Sequence, residues 1–349
     1  MLRPLYQQSE FPVFQNRMYD SATEARTCPT GDIALVEDMT TGLVHNAAFD
    51  ARRVVYDGNY QNEQALSENF RSHLETVAGL VEKHLGRGPL IEVGCGKAYF
   101  LEMLLARGVD VLGFDATYEG SNPKVFRRYF EPGSAPRADG LILRHVLEHI
   151  KDPITFLQML QAANDGGRIY IEVPCFDWIC RHRAWFDVFY EHVNYFRLAD
   201  FTRMFGRIVD AGHLFGGQYI YVIAELSSLR RPSYDPANSV VFPADFSRGV
   251  SASIAHEEGG LAVWGGASKG VIFSLLKSRA GQPVDMVIDI NPAKQGKFLP
   301  GTGLRVASPA EAMRTLPRTA RIVVMNSNYL DEIRRITECK YDYIRIDDE

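Results

Sequence analysis

The run Leu90-Ile91-Glu92-Val93-Gly94-Cys95-Gly96-Lys97-Ala98-Tyr99 reads as a short apolar strand that enters a glycine turn and leaves it as a helix. Gly88-Pro89 and Gly94 bound the strand. The helix rests on Phe100, Leu101, Leu104 and Leu105, which recur at helical spacing before Gly108 stops them. Glycine has no Cβ, so such a turn lets backbone N–H groups and a helix N-terminus approach a ligand closely. Two acids sharpen the reading. Glu92 sits in the strand just before the turn, where a dinucleotide-binding turn carries no carboxylate. A second strand, Val109-Asp110-Val111-Leu112-Gly113-Phe114-Asp115, ends in an acid about twenty residues further on, the distance at which a carboxylate meets a ribose diol.

The rest of the chain fits an α/β protein of more than one domain. A length of 349 residues is enough for two domains and a small extra module. At 46% hydrophobic and 23% charged, the composition is that of an ordinary soluble protein. The net charge of −5 is spread over mixed signs without a Lys/Arg stripe, which argues against nucleic acid as a partner. Met1 to Glu10 lacks the apolar core of a secretion signal and no stretch approaches a membrane span, so a cytoplasmic protein is expected. Cys28, Cys95, Cys175, Cys180 and Cys339 are irregularly spaced, implying neither a disulfide framework nor a metal ligand set.

Residues 1–56 are sparse in signal: Ile33 to Val36 and Leu43 to His45 suggest two short strands around Thr40-Thr41-Gly42. After the stretch Tyr56 to Gln64, Leu66, Phe70, Leu74, Val77, Val81 and Leu85 form one helical stripe ending at Gly86. That helix leaves Tyr60 and Gln64 near the strand tips. Gly140 to Arg144 and Arg168 to Pro174 read as buried parallel strands, joined by a helix that Asp152 caps and Pro153 starts. Strand–helix alternation at this pitch means right-handed crossovers, with ligands at the carboxyl ends of the strands. Asp115, Arg144, His145 and Pro174 fall on that rim, and His149 reads as a loop-organising residue. Trp185 to Phe196 is the densest aromatic and polar cluster, before a helix at Leu198 to Phe205 and a closing antiparallel pair, Ile208 to Ala211 and Tyr219 to Ala224.

A Pro/Ser/Arg-rich linker over 229–244 leads to a helix at Phe246 to His256 and a second glycine turn, Gly265 to Gly270. Strands at Val284 to Asp289, Ile322 to Met325 and Tyr343 to Ile346, with helices at Val271 to Leu276 and Tyr329 to Thr337, complete a second Rossmann-like unit. Its turn departs from Gly-x-Gly-x-x-Gly, and the loop Asn291 to Phe298 stands where a dinucleotide ribose would lie. An oxidoreductase with two nucleotide folds is therefore the lesser expectation.

Glu92, Gly94-x-Gly96 and the acid-tipped second strand together resemble the class I S-adenosylmethionine (SAM)-dependent methyltransferases. Over nearly the whole chain, the runs Tyr190 to Phe196, Phe215 to Tyr219 and Asn291 to Gly301 resemble the sugar C-methyltransferase family. The resemblance implies an N-terminal module over 1–56, a SAM-binding domain over 57–228 and a C-terminal Rossmann-like domain over 245–349. It implies SAM at Tyr60, Gln64, Glu92, Gly94, Gly96, Asp115, Arg144 and His145. It places the catalytic base on His192, with Glu191 and Tyr190 beside it, and a small-molecule acceptor against Tyr195, Asn194, Gln218 and Lys294. The implied acceptor is a nucleotide-linked keto-sugar, methylated at carbon through a base-generated enolate; O- or N-methylation of another small polar metabolite is the alternative. The family's module holds zinc on Cys-x-x-Cys pairs. Here Asp38-Met39-Thr40-Thr41-Gly42 replaces one pair and Cys28 stands alone.

Overall fold

The computed structural model describes residues 1–54, 60–61, 63–252, 254 and 260–347. The expected Tyr56 to Asn59 loop and Asn62 lie outside these residues.

β1 (Leu2–Pro12) and β2 (Thr30–Asp38) pair antiparallel over nearly their full lengths, with α1 (Ala22–Arg26) between them and β3 (Val44–Asn46) on the far side of β2. The expected pair of short strands is present, joined by a turn in which Asp38 Oδ1 accepts from Thr40 N at 2.8 Å and Gly42 has φ of 72°. β1 carries no alternating apolar pattern and has a proline at positions 4 and 12, so the sequence does not announce it. As an edge strand it tolerates both. The turn differs from the cysteine pair that holds zinc in the family's module. It offers no thiol, its Thr41 and Gly42 carbonyls accept from Arg203 (2.7 and 3.2 Å), and Gly42 O also accepts from Arg197 (3.1 Å).

The central domain starts with α2 (Glu68–Leu85), whose N-cap Ser67 accepts from Phe70 N and whose buried stripe is Phe70, Leu74, Val77, Val81 and Leu85. Leu66 lies ahead of the cap and is exposed, a correction to the expected stripe. β4 (Leu90–Val93), α3 (Tyr99–Ala106), β5 (Val111–Phe114), β6 (Val125–Phe126), β7 (Gly140–Arg144), α4 (Pro153–Asn164) and β8 (Arg168–Pro174) follow. Then come α5 (Phe176–Arg181), β9 (Asn194–Tyr195), α6 (Leu198–Met204), β10 (Ile208–Leu214) and β11 (Tyr219–Glu225). The sheet order is β10-β11-β8-β7-β4-β5-β6, parallel except for the β11 and β10 edge. Strand order reverses beside β4, so the crevice opens at the tip that carries Glu92 and Gly94. β9 instead joins the first sheet, pairing Val44 with Tyr195 and His45 with Asn194. The aromatic loop is thereby tied to the N-terminal module.

The C-terminal domain comprises α7 (Arg248–Ser251), β12 (Leu261–Trp264), α8 (Ser268–Arg279), β13 (Met286–Ile288), β14 (Val306–Ala307), α9 (Pro309–Thr315), β15 (Arg321–Val324), α10 (Leu330–Ile336) and β16 (Asp342–Arg345). Its sheet, β14-β13-β12-β15-β16, is all parallel. The helix expected over Phe246 to His256 is described only as α7; residues 253 and 255–259 are outside the described set. The domains share one apolar core, in which Trp185 of the central domain stacks on Phe273 of α8 with centroids 5.4 Å apart. The linker also packs: Glu37, buried in β2, accepts from Arg3, Ser239 Oγ (3.0 Å) and Val240 N (2.9 Å).

Candidate functional site

The turn after β4 holds three residues at positive φ, Gly94 (74°), Gly96 (55°) and Ala98 (64°). A Cβ on Gly94 would stand 2.5 Å from Val146, so protein packing requires that glycine. A Cβ on Gly96 would meet no protein atom within 4 Å, and Gly96 lines the cavity described below. Gly96 N donates to Asp115 Oδ2 (2.8 Å), and Thr117 N and Oγ1 donate to Asp115 Oδ1 (2.8 and 2.7 Å). Asp115 is thus fixed at the edge of the turn. Glu92 is buried and its Oε2 has no partner. Burial pushes its carboxyl up to about 8, Arg144 opposing and Asp115 adding to the rise. An orphaned buried acceptor beside an open turn suits a ligand that brings its own donors or positive charge.

Arg144 and His145 stand at the tip of β7. Arg144 lies over the Phe100 ring at 4.6 Å and donates to Glu172 Oε2 at 3.4 Å. Buried Glu172 also binds His73 Nε2 (2.8 Å), His145 Nε2 (3.1 Å) and Tyr170 OH (2.8 Å). Although burial opposes ionisation, Arg144 and the two histidines hold the Glu172 carboxyl well below the usual range. Burial likewise opposes charge on His145, but Glu148 and Glu172 prevail and raise it to about 9. At neutral pH Arg144 and His145 are both charged, and buried Glu172 and Glu148 pair with them.

A cavity of about 400 Å³ joins these groups. Tyr60, Gln64, Glu92, Gly94, Gly96, Arg144, His145 and His192 line it from the central domain, and Lys294 lines it from the opposite wall. His192 is half-buried, with its ring edge-on to His149 at 4.8 Å and to Phe189 at 4.8 Å. Burial, reinforced by His149 and His145, holds its pKa well below the ordinary histidine value, so the imidazole is neutral.

Six expected site residues do not line this space. Tyr190 is fully buried, and its hydroxyl accepts from Asp50 N (2.9 Å). Tyr195 OH is paired with the Phe189 backbone N and O, both at 3.0 Å. Asn194 donates to Ile150 O (2.6 Å). These three hold the loop that presents His192. Gln218 is buried between domains, bonded to Asn326 (3.0 and 2.8 Å) and Lys269 (2.8 Å). Glu191 does not line the cavity that its neighbour His192 faces. Its carboxylate accepts from Tyr60 OH (2.7 Å) and Gln15 N (3.2 Å). Asp115 also lies outside the lining, behind Gly96. Conversely, the cavity is lined by Glu148, His149, Asp187, Tyr219 and Lys269, which sequence reasoning did not select. His149 does organise the loop as expected, since Nδ1 donates to Glu191 O (2.9 Å), but it also faces the cavity. Only its position five residues past the end of β7 hinted at that.

The second glycine turn lines the same cavity through Gly265, Ala267, Ser268 and Asp289. Asp289 Oδ2 accepts from Gly266 N (2.8 Å) and pairs with Lys294 Nζ (3.5 Å), while Oδ1 accepts from Asn291 N (2.8 Å).

Residues 63–208 match a family model described as a methyltransferase domain, and residues 248–342 match one described as a C-methyltransferase C-terminal domain. No curated protein matches the chain. Solved structures similar to it include the Burkholderia thailandensis 1,6-didemethyltoxoflavin-N1-methyltransferase, 16% identical, covering 46% of this chain and 80% of that one with a TM-score of 0.35. The magnesium protoporphyrin IX methyltransferase of Synechocystis is 16% identical over 50% of this chain and 92% of its own, TM-score 0.36. A SAM-dependent methyltransferase from Mesorhizobium loti is 11% identical over 45% and 99%, TM-score 0.34. The chain carries a methyltransferase domain over residues 63–208, in keeping with the SAM-dependent class that its sequence resembles. Its second matched domain agrees with the sugar C-methyltransferase family that the sequence resembles.

Proposed function

We propose that the protein methylates a carbon of a nucleotide-linked keto-sugar, with His192 as the base. The observation that carries this reading is a neutral imidazole lining the same cavity as the open Gly96 turn. Methylation at oxygen or nitrogen needs no base at carbon, whereas a carbon beside a ketone becomes a nucleophile only after losing a proton.

SAM supplies a methyl group on a sulfonium, already poised to leave. Gly94 and Gly96 present backbone to it, Asp115 stands at the ribose edge, and the Arg144–His145 rim faces its carboxylate. Glu92 adds an acceptor, and Tyr60 and Gln64 close the near side. His192 takes the proton from the acceptor carbon, a role that contributes roughly 10²–10⁴-fold. His149, hydrogen-bonded to the loop through Nδ1, fixes the position of the His192 ring. Glu191 and Tyr60 brace the loop from behind, and Tyr190, Asn194 and Tyr195 set its path. Lys294, paired with Asp289, and Lys269, paired with Asp187 at 3.1 Å, offer polar groups to the acceptor from the opposite wall. Holding acceptor and donor in one enclosed space supplies the alignment that in-line transfer requires.

The test is a screen of nucleotide-linked keto-sugars with isotopically labelled SAM, locating the label by NMR. A new C–CH₃ signal is expected. Label on oxygen or nitrogen would replace this reading with methylation of a different polar metabolite.

A further inference from the structure

His192 has two neighbours that deprotonation does not need. Glu148 sits in the turn after β7 with its side chain 2% exposed; Oε1 contacts His145 Nδ1 at 3.3 Å, and Oε2 is buried without a hydrogen-bond partner. His149 donates from Nδ1 to the Glu191 carbonyl, so the ring atom it would turn to an ion is Nε2. Donation of the far ring nitrogen to a backbone carbonyl is how metal-binding histidines are usually oriented. One ligand atom each from Glu148, His149 and His192 lies within 4.8 Å of the others. Donors sharing one ion at bonds of about 2.1 Å are roughly 3.4–4.2 Å apart, so closing by about an ångström completes the set.

We propose that Glu148, His149 and His192 form a binding site for a divalent first-row transition metal, and that an ion there takes the imidazole lone pair with which His192 would deprotonate the acceptor. Two nitrogens and one carboxylate suit Zn²⁺, Co²⁺ or Ni²⁺ better than Mg²⁺ or Ca²⁺. His145, tied to Glu172 at 3.1 Å, holds the carboxylate ligand from outside. Metal occupancy and turnover are then mutually exclusive, and the metal is an inhibitor. The binding part stands on geometry alone; the inhibition part rests on the role given to His192 above.

The experiment is titration of EDTA-treated full-length protein with Co²⁺, read by visible d–d absorption and calorimetric stoichiometry. One equivalent is expected, with bands of four- or five-coordinate Co²⁺. Glu148→Gln and His149→Gln should each weaken it by more than the roughly 10–100-fold that loss of a supporting group costs. Melting curves of both variants report their folding, and exposed His213→Gln, which should change nothing, controls for surface binding. Co²⁺ binding no stronger than the surface background, or equal in wild type and both well-folded variants, overturns the site. Zn²⁺ should stop turnover and EDTA restore it; turnover that requires added Zn²⁺ overturns the exclusivity. If Co²⁺ binds as expected while His192→Ala keeps full turnover, the base assignment falls and the metal site stands. If Co²⁺ fails to bind while His192→Ala is inactive, the reverse holds.

Discussion

The two glycine turns of this protein are built from the same backbone device and line one cavity, yet they differ in the side chains around them. After β4, Gly96 N donates to Asp115 at the tip of the next strand; after β12, Gly266 N donates to Asp289, and both bonds measure 2.8 Å. Two residues before the first glycine, however, one strand has buried, unpartnered Glu92 and the other has Val263. Asp289 is buried and carries Lys294, while among the described residues no lysine or arginine pairs with half-buried Asp115. Gly270 packs so tightly on its own turn that a Cβ would stand 1.8 Å from Gly265 O, whereas Gly96 faces open space. A glycine turn and an acid at the right distance therefore describe a fold. Whether the turn binds anything depends on which side chains have already claimed the acid and the space.

The sharpest break of this comparison is a matched pair of substitutions. Gly96→Val forces a β-branched residue to φ of 55° and fills space in the cavity, so calorimetry should show SAM affinity reduced by about 100-fold or more. Gly266→Val, crowded by Val306 and Asp289 at 3.2–3.3 Å, should instead lower the melting temperature and leave SAM affinity within about threefold. Equal losses of SAM affinity would mean that both turns bind the cofactor.

pH offers a second contrast. Glu92 is raised from 4.5 to about 8 by burial and His145 from 6.5 to about 9 by its carboxylates. Both are folded-state increases, so each stabilises the fold fully below its unfolded pKa and loses that contribution as pH climbs through the folded value. Stability should therefore decline from about pH 4.5 to about pH 9, and Glu92→Gln should flatten the part of that decline below about pH 8. An unchanged pH profile in thermal melts of Glu92→Gln would contradict a buried, neutral Glu92. The smallest effect belongs to the second turn. Lys294→Met leaves Asp289 without its cation and should cost on the order of 1–3 kcal/mol in denaturant unfolding, with SAM affinity unaltered.

Much of the central domain was legible because its signals are local: Ser67 and Asp152 cap helices, Gly86 and Gly108 end or follow them, and the apolar runs of β7 and β8 are uninterrupted. β1 was not, since its partners lie in β2 and its own residues carry no alternation. β14 is two residues long and was invisible, although Ser308, Pro309 and Glu311 spell out the start of α9. The glycine turn and the rim residues Arg144 and His145 were found because position at a strand end is a property of sequence. The loop around His192 was over-read. Tyr190, Asn194 and Tyr195 have the chemistry of binding residues, but pairing of β9 with β3 turns them into protein. Lys269 and Tyr219 were missed because only the docking of the two domains brings them to one cavity.

The central claim is that His192 is the base facing the methyl donor bound at the first turn. Its most direct test is transfer from ¹³C-methyl SAM to the acceptor, comparing wild type with His192→Ala after calorimetry has verified SAM binding in both. The expected result is a carbon-bound label in wild type and turnover reduced by roughly 10²–10⁴-fold in the variant, with SAM affinity within a few-fold. Full turnover by His192→Ala, or a label on oxygen or nitrogen, would contradict it.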